Sequence, residues 1–303
     1  MNKPKLTEDQ MAPLWYWINE RHRIYLKRAG QGNPPPWTDD PILRQYRFCN
    51  VFREKDRVTL WLRINVRTPY ADNPNLWFMY AIARQFNWPP TIQTLIEHEL
   101  WPTVRWNGKA AGKLLDKLAK EGMQQYNGAY MTTGSGVPEG WSKARFMCEV
   151  LFEDLWQHRT EMAAVCRTSI REASQAFTKF NGYGKFLGYE VATDLRHCEG
   201  WLADAPDIYT WANAGPGAKR GLNRLFGRAL KHPLPDAQSL AEMRYLLSVA
   251  PLYLEDHVLN RQERFEMRDI EHSLCETDKY LRAKTGEGRP KAIFRPNEQE
   301  YKF

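Results

Sequence analysis

The sequence predicts an all-α fold, and three observations carry that prediction. Apolar residues recur at helical spacing through most of the 303 residues. Helix start and stop signals recur with them. No long run alternates with the period of two that a half-buried strand needs. In chain order, Leu14, Trp17, Ile18 and Tyr25 share one face of a first helix, which Pro13 can start and Gly30 can end. Gly32-Asn33-Pro34-Pro35-Pro36 is a rigid connector, because successive prolines fix φ and supply no donors. Asp40-Pro41 then gives a cap and first turn, with Ile42, Leu43 and Tyr46 opening a new face. Asn73-Pro74 repeats that signal, and the helix from Asn75 must stop before Trp88-Pro89-Pro90. Thr94-x-x-Glu97 and Ser239-x-x-Glu242 fit the capping-box pattern of a helix start. Residues 129–133 are the one candidate for a short strand. Met162, Cys166, Ile170, Ala173 and Phe177 step by four, four, three and four, which predicts one long core helix.

Composition bounds the class. A hydrophobic content of 43% with 13% aromatic residues excludes a disordered chain. Five scattered cysteines, with no Cys-x-x-Cys pair, argue against a disulfide framework and a tetrahedral zinc site, and for a reducing compartment. No metal and no cofactor is expected. The N-terminus lacks the apolar core of a signal peptide, and the longest apolar stretch, 245–254, is broken by Ser248 and Pro251. The expectation is a soluble intracellular protein with no membrane partner. Its 303 residues form a single helical domain, or two helical lobes with a cleft between them.

The net charge of +7 (43 Lys+Arg against 36 Asp+Glu) is modest, but its distribution is not uniform. From Glu190 to Asp207 stand Glu190, Asp194, Glu199, Asp204 and Asp207 against the single base Arg196. From 208 to 235 stand Lys219, Arg220, Arg224, Arg228 and Lys231 with no acid. An acidic segment running into a basic one suits a site that holds a polyanion beside catalytic carboxylates. Twelve tryptophans supply stacking faces for bases, although most of them serve a core.

Two glycine clusters adjoin predicted helices. Phe180-Asn181-Gly182-Tyr183-Gly184-Lys185 follows the long core helix and opens another helical stretch. Gly182 and Gly184 let the chain turn sharply, and the next helix presents free amides and its positive dipole end to a phosphate. That is the physics of a helix–hairpin–helix. Gly215-Pro216-Gly217-Ala218-Lys219-Arg220 repeats the amide logic with two cations. The bland alternative is a pair of ordinary helix caps. Neither cluster matches the nucleotide-triphosphate loop Gly-x-x-x-x-Gly-Lys-Ser/Thr.

Near the C-terminus Arg268, His272, Cys275, Lys279 and Arg282 fall on one helical stripe, with Met267, Ile270, Leu274 and Leu281 opposite. The helix can therefore bury one face and offer a basic one. Glu276 borders that stripe, three residues before Lys279. Gly286-Glu287-Gly288-Arg289-Pro290 ends the helix and adds Arg289.

Several segments together carry a family resemblance. They are Glu20-Arg21-His22-x-Ile24-Tyr25, Pro36-Trp37-Thr38-Asp39-Asp40-Pro41, Asn50-Val51-Phe52-Arg53-Glu54-x-Asp56-Arg57, Tyr189-Glu190-x-x-x-Asp194, Ala214-Gly215-Pro216-Gly217-Ala218 and Leu274-Cys275-Glu276-x-x-Lys279-Tyr280. The sequence resembles the α-glutamyl/putrescinyl thymine pyrophosphorylases (clade 2), also called amino acid:DNA transferases. Their relatives include the helical domain of 5-hydroxymethyluracil DNA kinases. The likeness spans most of the chain and is weakest over 69–139. It departs from the family pattern at Cys49 and Thr277, where Thr and Phe are expected.

The resemblance implies a DNA-glycosylase-like helical fold and a place in bacteriophage thymidine hypermodification, in the cytoplasm of the infected bacterium. It implies a transferase that displaces the phosphate or pyrophosphate of phosphorylated 5-hydroxymethyluracil in double-stranded DNA with an amine, an amino acid such as glycine or putrescine. The implied partners are that DNA, the free amino acid or polyamine, and the phage DNA kinase. The target nucleotide lies within a duplex, so it must be flipped into a pocket. Gly182, Gly184, Lys185, Gly215, Gly217, Lys219 and Arg220 would hold the backbone, while Lys279, Arg289 and Arg53 neutralise the departing phosphate. Asp207 or Glu276 would accept the amine proton. Asp207 follows the first hairpin at a spacing similar to that of the aspartate in helix–hairpin–helix DNA glycosylases. Cys275, on the basic stripe, is a candidate low-pKa nucleophile for a covalent route. The alternatives are a base-excision glycosylase and a non-catalytic DNA-binding partner of the kinase.

Overall fold

The computed structural model describes residues 6–127, 136–259, 264–290 and 292–295. Apart from an isolated antiparallel bridge between Tyr46 and Ile293, the described residues contain no strand. The candidate strand at 129–133 lies outside the described residues. The helices are α1 (Glu8–Tyr25), α2 (Pro41–Gln45), α3 (Arg57–Leu62), α4 (Leu76–Phe86), α5 (Pro89–Glu97), α6 (Gly108–Lys120) and α7 (Lys143–Phe146). They continue as α8 (Phe152–Gln157), α9 (Arg159–Val165), α10 (Ile170–Phe177), α11 (Lys185–Leu195), α12 (Pro216–Leu225), α13 (Asp236–Val249) and α14 (Met267–Lys284). Among the described residues no helix is long and apolar enough to cross a membrane.

The chain divides into two compact units: a terminal unit of residues up to Asp56 with those from Ile208 onward, and a central unit from Arg57 to Asp207. The terminal unit is organised on α14, which packs against α1, α2, α12 and α13. Thr7 and Gln10 start α1 with a capping box, so the helix begins before Pro13, which sits inside it rather than at its start. Asp40 caps α2 as expected, accepting from the Ile42 and Leu43 amides at 2.8 and 3.0 Å. Its other oxygen accepts the hydroxyls of Tyr16 (3.0 Å) and Tyr280 (2.7 Å), tying α1, α2 and α14 together. Gly217 and Gly221 lie where α12 crosses α14; a Cβ on Gly217 would overlap Cys275 Sγ, and one on Gly221 the Leu274 carbonyl.

The central unit is built on α4, every residue of which is buried. Around Phe78 stand Trp156, Trp106 and Phe152, at ring-centroid distances of 5.0, 5.7 and 6.5 Å. Helix α4 ends where expected, at Asn87 in the left-handed region (φ 46°), ahead of the Pro89-Pro90 start of α5. Two expected start signals are instead interior to helices. The Thr94 hydroxyl donates to the Pro90 carbonyl within α5, and, in the terminal unit, Ser239 does the same to Pro235 at the start of α13. The long helix expected over 162–177 is two helices, α9 and α10, parted at 166–169. Ser169 caps α10 by accepting the Glu172 amide, and Asp207 accepts the Ile170 and Arg171 amides at 2.9 Å each.

Candidate functional site

The two glycine turns differ in what they do. In the central unit α10 and α11 are joined through Gly182, whose φ of 83° needs a residue without Cβ. Its carbonyl accepts from Gln85 Nε2 at 2.8 Å, and Gly184 is the N-cap of α11, with exposed Lys185 as the first helical residue. Gly188 lets α11 close on α10, since a Cβ there would stand 2.6 Å from the Ser174 carbonyl oxygen. This is a helix, a tight turn and a helix held in close packing.

In the terminal unit the second turn has ordinary geometry. Gly215 caps α12 at φ −70°, its amide already directed at Glu271 Oε1 (3.4 Å). Gly217 is a packing residue against Cys275. The cations beside it are largely spent internally. Lys219 pairs with Asp236 (2.7 Å), and Arg220 and Arg224 each donate at 2.9 Å to Asp278, which is wholly buried. Arg228 pairs with Glu242 at 2.6 Å. The purely basic stretch 208–235 is thus balanced by acids from elsewhere in the chain, which the linear charge pattern does not display.

Helix α14 also departs from expectation. Met267, Ile270 and Leu274 are buried, but so are Arg268, Glu276, Thr277 and Asp278, so it has no freely solvated basic face. Cys275 is not an activated thiol: burial, followed by the negative charges of Glu276 and Glu271, pushes it up to about 12. That removes the basis for a covalent route. Asp207 is engaged at the α10 N-terminus, and Arg53 is buried. Arg289 is exposed.

What α14 does provide is a polar cluster, assembled with α1 and the strap 46–56. Glu276 accepts from Lys279 Nζ through both oxygens (2.9 and 2.7 Å) and from the Cys49 amide at 3.1 Å. Lys279 Nζ also lies over the Phe48 ring, 4.7 Å from its centroid. Arg21, from α1, donates to the Phe48 carbonyl at 3.3 Å. Asp56 accepts the Asn50 amide at 2.9 Å, and burial pushes its carboxyl up. Cys49, Asp56 and His272 each offer an atom within 4.8 Å of the others, the only such grouping of possible metal ligands among the described residues. The sequence pointed to Glu276 and Lys279 as candidates; Arg21, Asp56 and Arg268, given there only within motifs or on the helical stripe, join them in this polar cluster. Their signal was the recurrence of charged residues at helical spacing (Arg268, His272, Glu276) toward a segment rich in Arg, Glu and Asp.

Three segments far apart in sequence, around 20–22, 48–56 and 268–280, therefore meet in one place, and each overlaps a motif that carried the resemblance. The chain matches the family described as 5-hmdU DNA kinase, helical domain, over residues 8–289. It belongs to that family. A 5-hmdU DNA kinase of Bacillus phage SP10 is 29% identical over 289 residues, covering 88% of this chain and 45% of the phage protein. This member of the helical-domain family thus spans less than half the length of that relative. No solved structure gives a significant match.

Proposed function

We propose that this protein is a transferase of phage thymidine hypermodification, acting on 5-hydroxymethyluracil in DNA after that base has been phosphorylated. The C–O bond of the methylene phosphate ester breaks, the phosphate or pyrophosphate leaves with the electron pair, and an amine nitrogen forms the new C–N bond. The amine is an amino acid such as glycine, or a polyamine such as putrescine. Glu276 takes the proton that the attacking nitrogen sheds, since only a neutral amine is nucleophilic and a carboxylate within reach keeps it so. Lys279, with Arg53 and Arg289, offsets charge developing on the leaving group. In the central unit, Gly182, Gly184 and Lys185 hold a backbone phosphate at the start of α11. Gly215, Lys219 and Arg220, bonded to Glu271, Asp236 and Asp278, and Gly217, packed on Cys275, serve as scaffold around α14 more than as phosphate ligands, and Asp207, with both oxygens on the α10 amides, as a helix cap.

The observation that carries this reading is the Glu276–Lys279 pair, a proton acceptor and a cation 2.7 Å apart on the family's own motif. The family match supports it chemically: a kinase acting on 5-hydroxymethyluridine makes the phosphate ester that such a transfer consumes. The test is direct. Purified protein is incubated with DNA carrying phosphorylated 5-hydroxymethyluracil and a mixture of amines, and the nucleosides are weighed after digestion. A mass gain matching an amine is expected. Abasic sites would replace the transferase with a base-excision enzyme, and unchanged DNA would leave only a binding role. Glu276→Gln should cut turnover by about a hundredfold or more, with unfolding curves of the variant separating that loss from the stability lost with the Lys279 ion pair. Full activity in that variant would remove Glu276 from the chemistry.

A further inference from the structure

We propose that Arg21 and Arg268 form a buried receptor for a phosphate or pyrophosphate group, set against the strap 48–56 of the terminal unit. It rests on the transferase reading for its biological purpose, but not for its physics. Arg21 and Arg268 are only 9% and 8% exposed. A guanidinium is expensive to bury unless its fork of donors is matched by acceptors. Three other buried or half-buried arginines of this chain obey that rule: Arg84 is bound by Asp194, Arg224 by Asp278 and Glu287, and Arg228 by Glu242.

Arg268 does not obey it. Its Nε and Nη1 are buried with no hydrogen-bond partner among the described residues. Among the described residues its one ion-pair contact is Asp269 Oδ1 at 3.9 Å, beyond hydrogen-bonding distance. Asp269 and Glu266 are instead committed to each other's backbone amides in the capping box of α14. A cation in the first turn of a helix also faces the positive end of the dipole. Among the described residues Arg21 has one hydrogen bond, to the Phe48 carbonyl, and burial lowers its pKa.

The two guanidiniums share a neighbourhood. Both act electrostatically on Asp56. Asp56 lies within 4.8 Å of a ring nitrogen of His272, which is one turn along α14 from Arg268. Glu276 and Lys279 continue that side of the helix, so the receptor adjoins the pair assigned to proton and charge transfer. Asn50 Oδ1, on the same strap, is a further buried atom with no hydrogen-bond partner among the described residues.

A divalent metal on Cys49, Asp56 and His272 is the rival occupant, and charge decides against it. Two buried guanidiniums beside Asp56 repel a dication and attract an oxyanion. Planar guanidinium forks match the oxygen spacing of phosphate, which makes the phosphoryl group the best-fitting anion.

Inorganic phosphate and pyrophosphate are the probes, added to the full chain at constant ionic strength with chloride as reference. Calorimetric titration should detect binding, and thermal melting should show a rise in Tm with ligand. Arg268→Met should weaken phosphate binding at least tenfold, while its Tm in chloride stays equal to or above that of the parent protein, because an uncompensated charge has been removed. Arg268→Lys should bind with intermediate affinity, and Arg171→Met, an exposed control, should bind like the parent. A Tm in chloride that falls by several degrees in Arg268→Met would make the residue structural and overturn the proposal. So would zinc binding without any response to phosphate. Phosphate binding with no transfer to DNA would leave this site standing and remove the transferase reading; transfer without Arg268-dependent phosphate binding would do the reverse.

Discussion

Each unit of this protein buries an arginine that invites comparison, Arg84 in the central unit and Arg268 in the terminal one, and the two are treated in opposite ways. In the central unit Arg84 is 2% exposed and meets Asp194 through two bonds, Nε to Oδ2 at 2.5 Å and Nη2 to Oδ1 at 2.8 Å. Thr59 and Asn87 take further donors at 2.9 and 3.1 Å. In the terminal unit Arg268 is nearly as deep and retains unmatched donors. A buried charge whose valences are filled by the chain is scaffold. One whose valences are left open stores free energy that an incoming anion can release.

The comparison can be broken at several points. Asp194→Asn should have the largest effect, destabilising the protein by about 3–5 kcal/mol in urea unfolding, because it strands the Arg84 charge in a dry core. The double variant Arg84→Met/Asp194→Leu should regain most of that loss; failure to do so would mean that the pair does more than fill space. Gly221→Ala should cost about 1–3 kcal/mol by driving a methyl into the Leu274 carbonyl, with an unchanged denaturant slope.

His22 sharpens the contrast from the side of pH. Burial, with the nearby positive charges of His257, Lys55 and Arg21, lowers its pKa from 6.5 to about 4. It packs edge-on to Phe52 at 5.1 Å and parallel to His257 at 5.6 Å. Between those two pKa values the unfolded chain binds a proton that the folded protein refuses. Stability is therefore fully present above about pH 6.5 and falls as pH drops toward about 4. His22→Gln should flatten that fall by ~2 kcal/mol, read from unfolding curves across the range. The smallest effect belongs to Asp207→Ala, about 1 kcal/mol, from loss of the cap on α10. A large drop in turnover with unaltered stability would instead return Asp207 to the chemistry.

Helical class was legible because its signals are local. Asp40-Pro41, Asn87 before Trp88-Pro89-Pro90, and the apolar steps of α4 are each decided within a few residues. Errors arose where one residue type supports two local outcomes. A Ser or Thr followed three later by Glu can cap a helix or bond back to the i−4 carbonyl, and Thr94 and Ser239 do the latter. The break between α9 and α10 was hidden because the apolar period runs straight through it, while one of its caps, Asp207, lies 37 residues away from Ile170. The site divides the same way. Glu276 and Lys279 are one turn apart and were visible as a pair. The fate of Arg220, Arg224 and Arg268 depends on Asp278 and on the strap, partners that only the folded chain supplies.

The bare patch made by Gly217 and Gly221 has an evolutionary corollary. With no side chain from α12 at that crossing, its backbone rests directly on the Leu274 carbonyl and on the Cys275 side chain, and a rotation or slide of one helix is passed on to the other. Sequence drift on α12, a helix with no assigned part in catalysis, would therefore shift Glu276 and Lys279 bodily. Substrate preference among relatives could then be retuned from behind the site, without replacing a single reacting group.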